Sequence, residues 1–387
     1  MITKQGIFPC TINVQDYLPL APEQYLFWDI ETTGFSHVHA QIYLIGCTHV
    51  DSNGKWHYAQ WMTTKKQEES SMIQAFLTYA KNFHGLIHFN GNTFDLPFLK
   101  KRAERFQIIS DFSEFFALPT VDLYQIAGSM KKLLQFENFK QPTIEKFLGI
   151  QREEFHPGDE LIDCYRRYQQ SQTALGKASK VPGLSASLEE AIKRDEAMLL
   201  THNYDDITHL PLLLPILSYE GIKNHEGCIE KVARGRVESL SQGDCFEDVF
   251  LLTIRLPKPL LRPITYESEE LFLEGTKDIL TLQLPIHRGE FKEFHKNYKD
   301  YLYLPTEDLC FPKKSLPEGL TITTEPCKAA TCYTRHYGEY LKLPRDYTTE
   351  EPTHRISYED KALFLPVSSP LLHSFQFWEE YYKHCKY

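Results

Sequence analysis

Asp29 and Glu31 stand two residues apart at the end of an apolar run, Tyr25-Leu26-Phe27-Trp28. A run without polar interruption suits a central strand covered on both faces. Side chains alternate along a strand, so the two acids share a side. Adjacent carboxylates repel, and removal from water makes each bare charge costlier. A hard divalent cation such as Mg²⁺ resolves the conflict by taking oxygen ligands. Alone, Asp-x-Glu also fits a solvated strand end. The apolar strand before it and Thr32-Thr33-Gly34 after it favour the metal reading.

Two later segments carry matching chemistry. Asn90-Gly91-Asn92-Thr93-Phe94-Asp95 follows the short apolar stretch Gly85–Phe89 and opens a helical pattern. Aspartate there suits a helix N-cap, and the same position can face a metal. Further on, His202 and Asp206 are spaced i, i+4 in a long helix, one turn apart on one face. Asp205 competes at i+3, and spacing alone does not choose between the two.

Positioning these residues calls for an α/β core. Strands are expected at 25–31, 41–50 and 55–62, with Asp51-Ser52-Asn53-Gly54 as the turn of a meander. Helical periodicity covers 66–82 and 95–106, the short strand 85–89 lies between them, and 120–123 is a further short strand. Residues 142–170 read as helices and 171–185 as a loop. Ser187 with Glu190 reads as a capping box opening a helix to about Pro211. Beyond Glu220 the pattern turns to alternating strands at 248–256, 264–273 and 279–286. The expected organisation is residues 1–222 as one domain and 223–387 as a smaller β-rich domain.

Composition bounds the function classes. A 387-residue chain that is 42% hydrophobic and 24% charged has the make-up of a globular protein with two domains. Its formal charge of −10 argues against coating nucleic acid by bulk electrostatics, though not against a groove that holds phosphate locally. Nine cysteines lack any CxxC pair, so reduced thiols are expected. Cys310, Cys327 and Cys332 lie near one another in sequence without finger-like spacing, which favours buried thiols over a zinc site. Residues 1–22 lack a basic segment followed by an apolar run, and no stretch approaches the roughly 18 apolar residues that span a bilayer. A cytoplasmic protein with no membrane association is the expectation. In the second domain, 296–303 and 332–340 interleave tyrosine with basic residues; such surfaces stack bases, but tyrosines packed along a strand are the favoured reading.

Taken together, Asp-Ile-Glu-Thr-Thr-Gly, Asn90-x3-Phe94-Asp95 and the late His202-x3-Asp206 resemble the three motifs of DEDD 3′–5′ exonucleases. The likeness is nearest to the bacterial YprB-type ribonuclease H-like domain, allied to the proofreading domains of family B DNA polymerases. It also runs through Ile42–Gly46, Phe89–Arg102, Leu148–Ile150 and His202–Ile207, and covers roughly 25–217. Three motifs in order are specific where one is weak. The resemblance implies an RNase H-like mixed five-stranded sheet with flanking helices. It implies two divalent ions, Mg²⁺ or Mn²⁺, on Asp29, Glu31, Asp95 and a fourth aspartate. The family's His-Asn-x-x-Asp-apolar pattern selects Asp206 for that place, because Ile207 follows it. His202 stands where polymerase-type enzymes have tyrosine, and the spacing departs from the histidine subclass, so its role as general base or water-orienting residue stays open. Thr32, Thr33 and Asn90 are candidates to hold a terminal nucleotide, and Arg102 a phosphate. The implied activity is 3′–5′ exonucleolytic hydrolysis of DNA or RNA at single-stranded 3′ ends. The alternatives are a catalytically lapsed nucleic-acid-binding scaffold and an RNase H-like endonuclease.

Overall fold

The computed structural model describes residues 1–152, 157–178, 184–238, 246–315 and 323–387. The chain divides into two compact units, Met1–Glu220 and Gly221–Tyr387.

The first unit is built on a six-stranded mixed sheet. In chain order the strands are β1 (Ile2–Phe8), β2 (Tyr25–Thr32), β3 (Ile42–Val50), β4 (Trp56–Met62), β5 (Gly85–His88) and β6 (Thr120–Asp122). Their spatial order is β1-β4-β3-β2-β5-β6. β2, β3 and β4 form the expected antiparallel meander, and β5 and β6 run parallel to β2. The sixth strand, β1, pairs antiparallel with β4 and was absent from the five-strand expectation. It is an edge strand of largely exposed residues, Ile-Thr-Lys-Gln-Gly-Ile-Phe, and so lacks the apolar alternation that marks a half-buried strand.

Helices cover both faces. They are α1 (Glu69–Ala80), α2 (Asp95–Arg105), α3 (Leu123–Ser129), α4 (Lys131–Leu134), α5 (Gln141–Leu148), α6 (Gly158–Ala178) and α7 (Leu184–His209). Leu26, Trp28 and Ile30 of β2 pack with Met72, Ile73, Phe76 and Leu77 of α1 and with Phe98 and Leu99 of α2. Trp28 stacks on Phe76 with ring centroids 5.5 Å apart. Each such fully buried side chain stabilises the fold by about 1.5–3 kcal/mol. Because Leu26, Trp28 and Ile30 face that core, alternation turns Asp29 and Glu31 toward the opposite face. There Tyr43 and Leu44 of β3 join Tyr165 and Tyr168 of α6 and Leu199 of α7. Tyr43 stacks on Tyr165 at 4.2 Å.

Two local expectations fail in this region. Residues 171–178, read as loop, continue α6, while 179–183 lie outside the described residues. α7 opens at Leu184, so Ser187 sits within the helix and the Ser187–Glu190 capping box does not form. The segment's Ser, Gln, Thr and Gly disfavour helix only weakly, and packing between α6 and α7 overrides them. Their polar groups are met within the helix: Gln172 donates to the Tyr168 hydroxyl (3.1 Å) and Thr173 to the Gln169 carbonyl (2.9 Å).

The second unit is antiparallel throughout. Its strands are β7 (Cys228–Glu238), β8 (Phe246–Arg255), β9 (Ile264–Glu267), β10 (Phe272–Thr276), β11 (Ile279–Phe294), β12 (Tyr301–Leu304), β13 (Leu309–Pro312), β14 (Glu325–Pro326), β15 (Tyr333–Lys342) and β16 (Phe364–Pro366). β7–β11, β15 and β16 form one sheet, and β13-β12-β14 a small second one. The stretch 264–273, read as one strand, breaks at a turn where the Ser268 amide bonds the Leu271 carbonyl (3.0 Å). β11 runs past Ile286 to Phe294 because its second half pairs with β15. Two of the noted tyrosines pack rather than offer stacking faces: Tyr340 lies on Phe291 at 4.2 Å, and Tyr333 donates to Asp308 at 2.6 Å. Tyr337 is 86% exposed. Among the described residues, no helix is long and apolar enough to cross a membrane.

Arg102 corrects an expectation about phosphate contact. It is buried, forms a two-pronged ion pair with Glu69 (Nε to Oε1 2.7 Å), and donates to the His37 carbonyl (3.0 Å). Glu69 also accepts from the Ile42 amide (2.9 Å), so the pair ties α1 and α2 to β3 and is not turned to a ligand. Replacing Arg102 by Met leaves a buried carboxylate unpaired. The expected loss is about 3–5 kcal/mol of unfolding free energy by denaturant titration. A loss below about 1 kcal/mol, the scale of an exposed pair, would place the arginine in solvent instead.

Candidate active site

β2 carries Asp29 and Glu31, and β3 leaves room beside them. Asp29 pairs across the sheet with Gly46. A Cβ on Gly46 would lie 2.1 Å from Asn203 Oδ1, so glycine is what lets α7 come this close. Asn203 uses the approach fully. Its Nδ2 donates to Asp29 Oδ2 (3.3 Å), and its Oδ1 accepts from Gln60 Nε2 (2.9 Å). Gln60 also donates to the Leu200 carbonyl (2.9 Å), and Thr48 Oγ1 to that of Ile207 (3.0 Å). The helix is thereby pinned to β3 and β4 around the acids.

Asp95 arrives from the other side of the strand ends. It opens α2, and its Oδ1 accepts from the amide of Ile30, the residue between the two acids (3.3 Å). The loop leading to it needs a left-handed Asn90 (φ 64°) and a glycine at 91, where a Cβ would meet the His88 ring at 2.4 Å. Asp122 holds this loop by accepting from the amides of Asn90 (2.9 Å) and Asn92 (3.0 Å) while capping α3. Asp122 thereby anchors the loop to the start of α3.

His202 and Asp206 come from α7. His202 Nε2 lies 3.1 Å from Asp206 Oδ2 and 3.6 Å from Glu31 Oε1. Ligand atoms of Glu31, His202 and Asp206 all fall within 4.8 Å of one another. His202 Nδ1 is buried without a hydrogen-bond partner in the protein. The other Asp206 oxygen accepts from Arg152 (2.6 Å), which also pairs with buried Glu145 (2.8 Å). Glu145 in turn meets His209 Nδ1 (3.1 Å) and Gln141 (3.0 Å). Asp206, not Asp205, is thus the aspartate turned to Glu31.

The electrostatics reflect this crowding. Burial first, then the charges of Asp95, Glu31 and Asp206, push the Asp29 carboxyl well above the usual carboxylate range. Burial raises Glu31 to about 7, with Asp206 and Asp95 adding to it against His202 and a Tyr43 hydrogen bond. Asp95 is raised by burial, also to about 7, despite the Ile30 amide. Asp206 goes the other way. Burial opposes its charge, but His202 and Arg152 outweigh burial and hold it below the ordinary value. His202 is correspondingly raised, the hydrogen bond and charge of Asp206 and then Glu31 outweighing burial. Three acids that resist ionising together, beside one held charged, make a set of hard oxygen donors suited to divalent cations.

The nucleotide-end candidates are less committed. The Thr32 hydroxyl donates to the Gly34 carbonyl (2.9 Å), and the Thr33 hydroxyl accepts from the Gln41 amide (3.0 Å). Both shape the turn after β2. The Asn90 side-chain oxygen accepts from Thr93 (2.6 Å). Sequence reasoning missed Arg152, Glu145 and the bridging role of Asn203. Asn203 lay within a quoted motif, but no spacing rule pointed to Arg152.

Residues 26–217 match the family model of the RNase_H superfamily. The first unit is an RNase H-like domain. No curated protein matches the chain's sequence. Among solved structures, the family B DNA polymerase of the hyperthermophilic archaeon Pyrobaculum calidifontis is similar at 12% identity and a TM-score of 0.32. That match covers 71% of this chain and 35% of the polymerase, so the chain spans about a third of that protein's length. The acids at issue all fall inside the stretch matched to the superfamily.

The raised carboxyls give the RNase H-like domain a pH signature. Glu31 and Asp95 hold protons more tightly folded than unfolded. Their contribution to stability is complete below the ordinary carboxylate values and is lost as pH rises through about 7. In chelator, a Glu31→Gln/Asp95→Asn double variant is therefore expected to melt above the parent at pH 8, with the gap shrinking toward pH 5. Excess Mn²⁺ at pH 8 should close the gap from the parent's side. A gap independent of pH would contradict the raised values.

Proposed function

We propose that the RNase H-like domain is a metal-dependent 3′–5′ exonuclease that hydrolyses phosphodiester bonds of DNA or RNA. The observation that supports this reading best is the meeting of four carboxylates from three separate segments. β2 supplies Asp29 and Glu31, the start of α2 supplies Asp95, and α7 supplies Asp206. These residues would hold two divalent ions, Mg²⁺ or Mn²⁺. When bound, such ions supply Lewis acidity to the attacking and leaving oxygens of a phosphodiester.

The protein's own groups do the rest. Asn203 orients Asp29 through its 3.3 Å bond. His202 and Arg152, one at each oxygen, keep Asp206 ionised. His202 presents Nε2 between Glu31 and Asp206, where it can take a proton from water and hold it against two carboxylates. Asn90, at the tip of the loop before Asp95, with Thr32 and Thr33, borders the place for a terminal nucleotide.

One observation favours a second reading. Arg152 and His202 already compensate Asp206, as a cation would. A domain that neutralised its acids this way could bind nucleic acid as a scaffold without cutting it.

The readings separate in one assay on the full chain, using 5′-labelled single strands and circular strands with Mg²⁺, Mn²⁺ or chelator. Exonuclease action gives stepwise shortening of the linear strand, which Asp29→Ala and Asp206→Asn abolish. Asn203→Ala is expected to lower the rate about 10–100-fold as the loss of a ligand-orienting partner. His202→Ala is expected to lower kcat by about 10²–10⁴-fold and remove the lower limb of the pH–rate profile. Cuts in circular substrate would replace this reading with an endonuclease. Tight binding with no metal-dependent loss of substrate would leave the scaffold.

A further inference from the structure

We propose that Cys310, Cys327 and Cys332 of the second unit form a zinc site, with one ion held by three thiolates and completing the small β13-β12-β14 sheet. The three sulfurs lie within 4.8 Å of one another. Zinc–sulfur bonds of roughly 2.3 Å put sulfurs roughly 3.8 Å apart around a tetrahedral ion, so closure needs movement of roughly 1 Å or less.

The cluster differs from two of the other buried thiols among the described residues. Cys164 and Cys385 each donate to a carbonyl, at 3.6 Å and 3.5 Å, as isolated core cysteines do. In the cluster Cys310 donates to the Tyr333 carbonyl (3.1 Å), but Cys327 and Cys332 meet chiefly other sulfurs. Sulfur is a weak acceptor, so buried thiols facing one another are poorly compensated. A soft or borderline cation turns the three into thiolates and satisfies them together. A disulfide would engage only two of the three sulfurs.

The surrounding sheet supplies the second argument. No residue of β12, β13 or β14 is buried. Among the described residues from 292 to 331, Cys327 alone is buried. A three-stranded sheet with no apolar interior of its own needs a cross-link, and structural zinc is the means small domains use. The three cysteines sit where it must act: on β13, just past β14, and just before β15. Among the described residues no other Cys, His, Asp or Glu joins them, so an exogenous donor such as water takes the fourth position.

The test uses the full chain, purified under reducing conditions without chelator. One equivalent of zinc is expected by elemental analysis, released on titration of the thiols with a mercurial and detected with a chromogenic chelator. Cobalt loaded in its place should give thiolate charge-transfer bands, which a carboxylate site does not produce. Cys327→Ser should lose both the bound zinc and those bands. Amide exchange over 301–312 and 325–333 should speed up on zinc removal, while the RNase H-like domain is unaffected. Should the variant fail to fold, the cobalt spectrum of the native chain still decides. A zinc-supplemented native chain with three freely titrating thiols and no thiolate–cobalt bands overturns the proposal, as does a Cys327–Cys332 disulfide in reducing buffer.

Discussion

Repulsion among carboxylates removed from water is the constraint on which the first unit turns. Asp29, Glu31, Asp95 and Asp206 come from segments up to 177 residues apart in the chain, and folding holds them where each raises the cost of ionising another. Nothing in hydrophobic packing asks for that arrangement. It persists because the sheet, α2 and α7 are anchored elsewhere: by the Trp28 core on one face, the Tyr43–Tyr165 stack on the other, and the Glu69–Arg102 pair between α1, α2 and β3. The fold overrides a local electrostatic conflict, and strongly perturbed carboxylates of this kind cluster at functional sites as well as in structural ion-pair networks.

The conflict is resolved unevenly. Asp206 has both His202 and the Arg152 guanidinium beside it and stays ionised, while Asp29, Glu31 and Asp95 are pushed toward the protonated form. The same asymmetry loads His202 with proton affinity. An incoming cation would meet three acids ready to give up protons and one already charged. His202 and Arg152 together set that division, and Arg152 is in turn held by Glu145, so a polar chain runs from α5 into the site.

Much of this was legible in the sequence, for reasons that can be named. An uninterrupted apolar strand ending in Asp-x-Glu reports burial and side-chain direction at once, and i, i+4 spacing reports a shared helix face. Those short-range rules offered Asp29, Glu31, His202 and the antiparallel meander, while the family resemblance was needed to join Asp95 to them and to choose Asp206 over Asp205. The rules fail where the deciding contact is distant. Arg152 reaches Asp206 across 54 residues, and Asn203 reaches Asp29 across 174. Arg102 reads in the sequence as a phosphate candidate, because nothing nearby announces Glu69, 33 residues before it. β1 is an edge strand whose exposed polar residues hide its pairing. The end of α6 is helical through packing that its small polar residues do not advertise. The three cysteines of the second unit converge through strand pairing, so their irregular spacing carried no ligand signature.

The central claim is that the carboxylates keep their places for divalent cations. Anomalous diffraction from crystals of the full chain soaked in Mn²⁺ tests it most directly. The account predicts manganese density enclosed by Asp29, Glu31, Asp95 and Asp206. Crystals saturated with the ion yet showing no such density, with Arg152 and His202 still closed on Asp206, would contradict it.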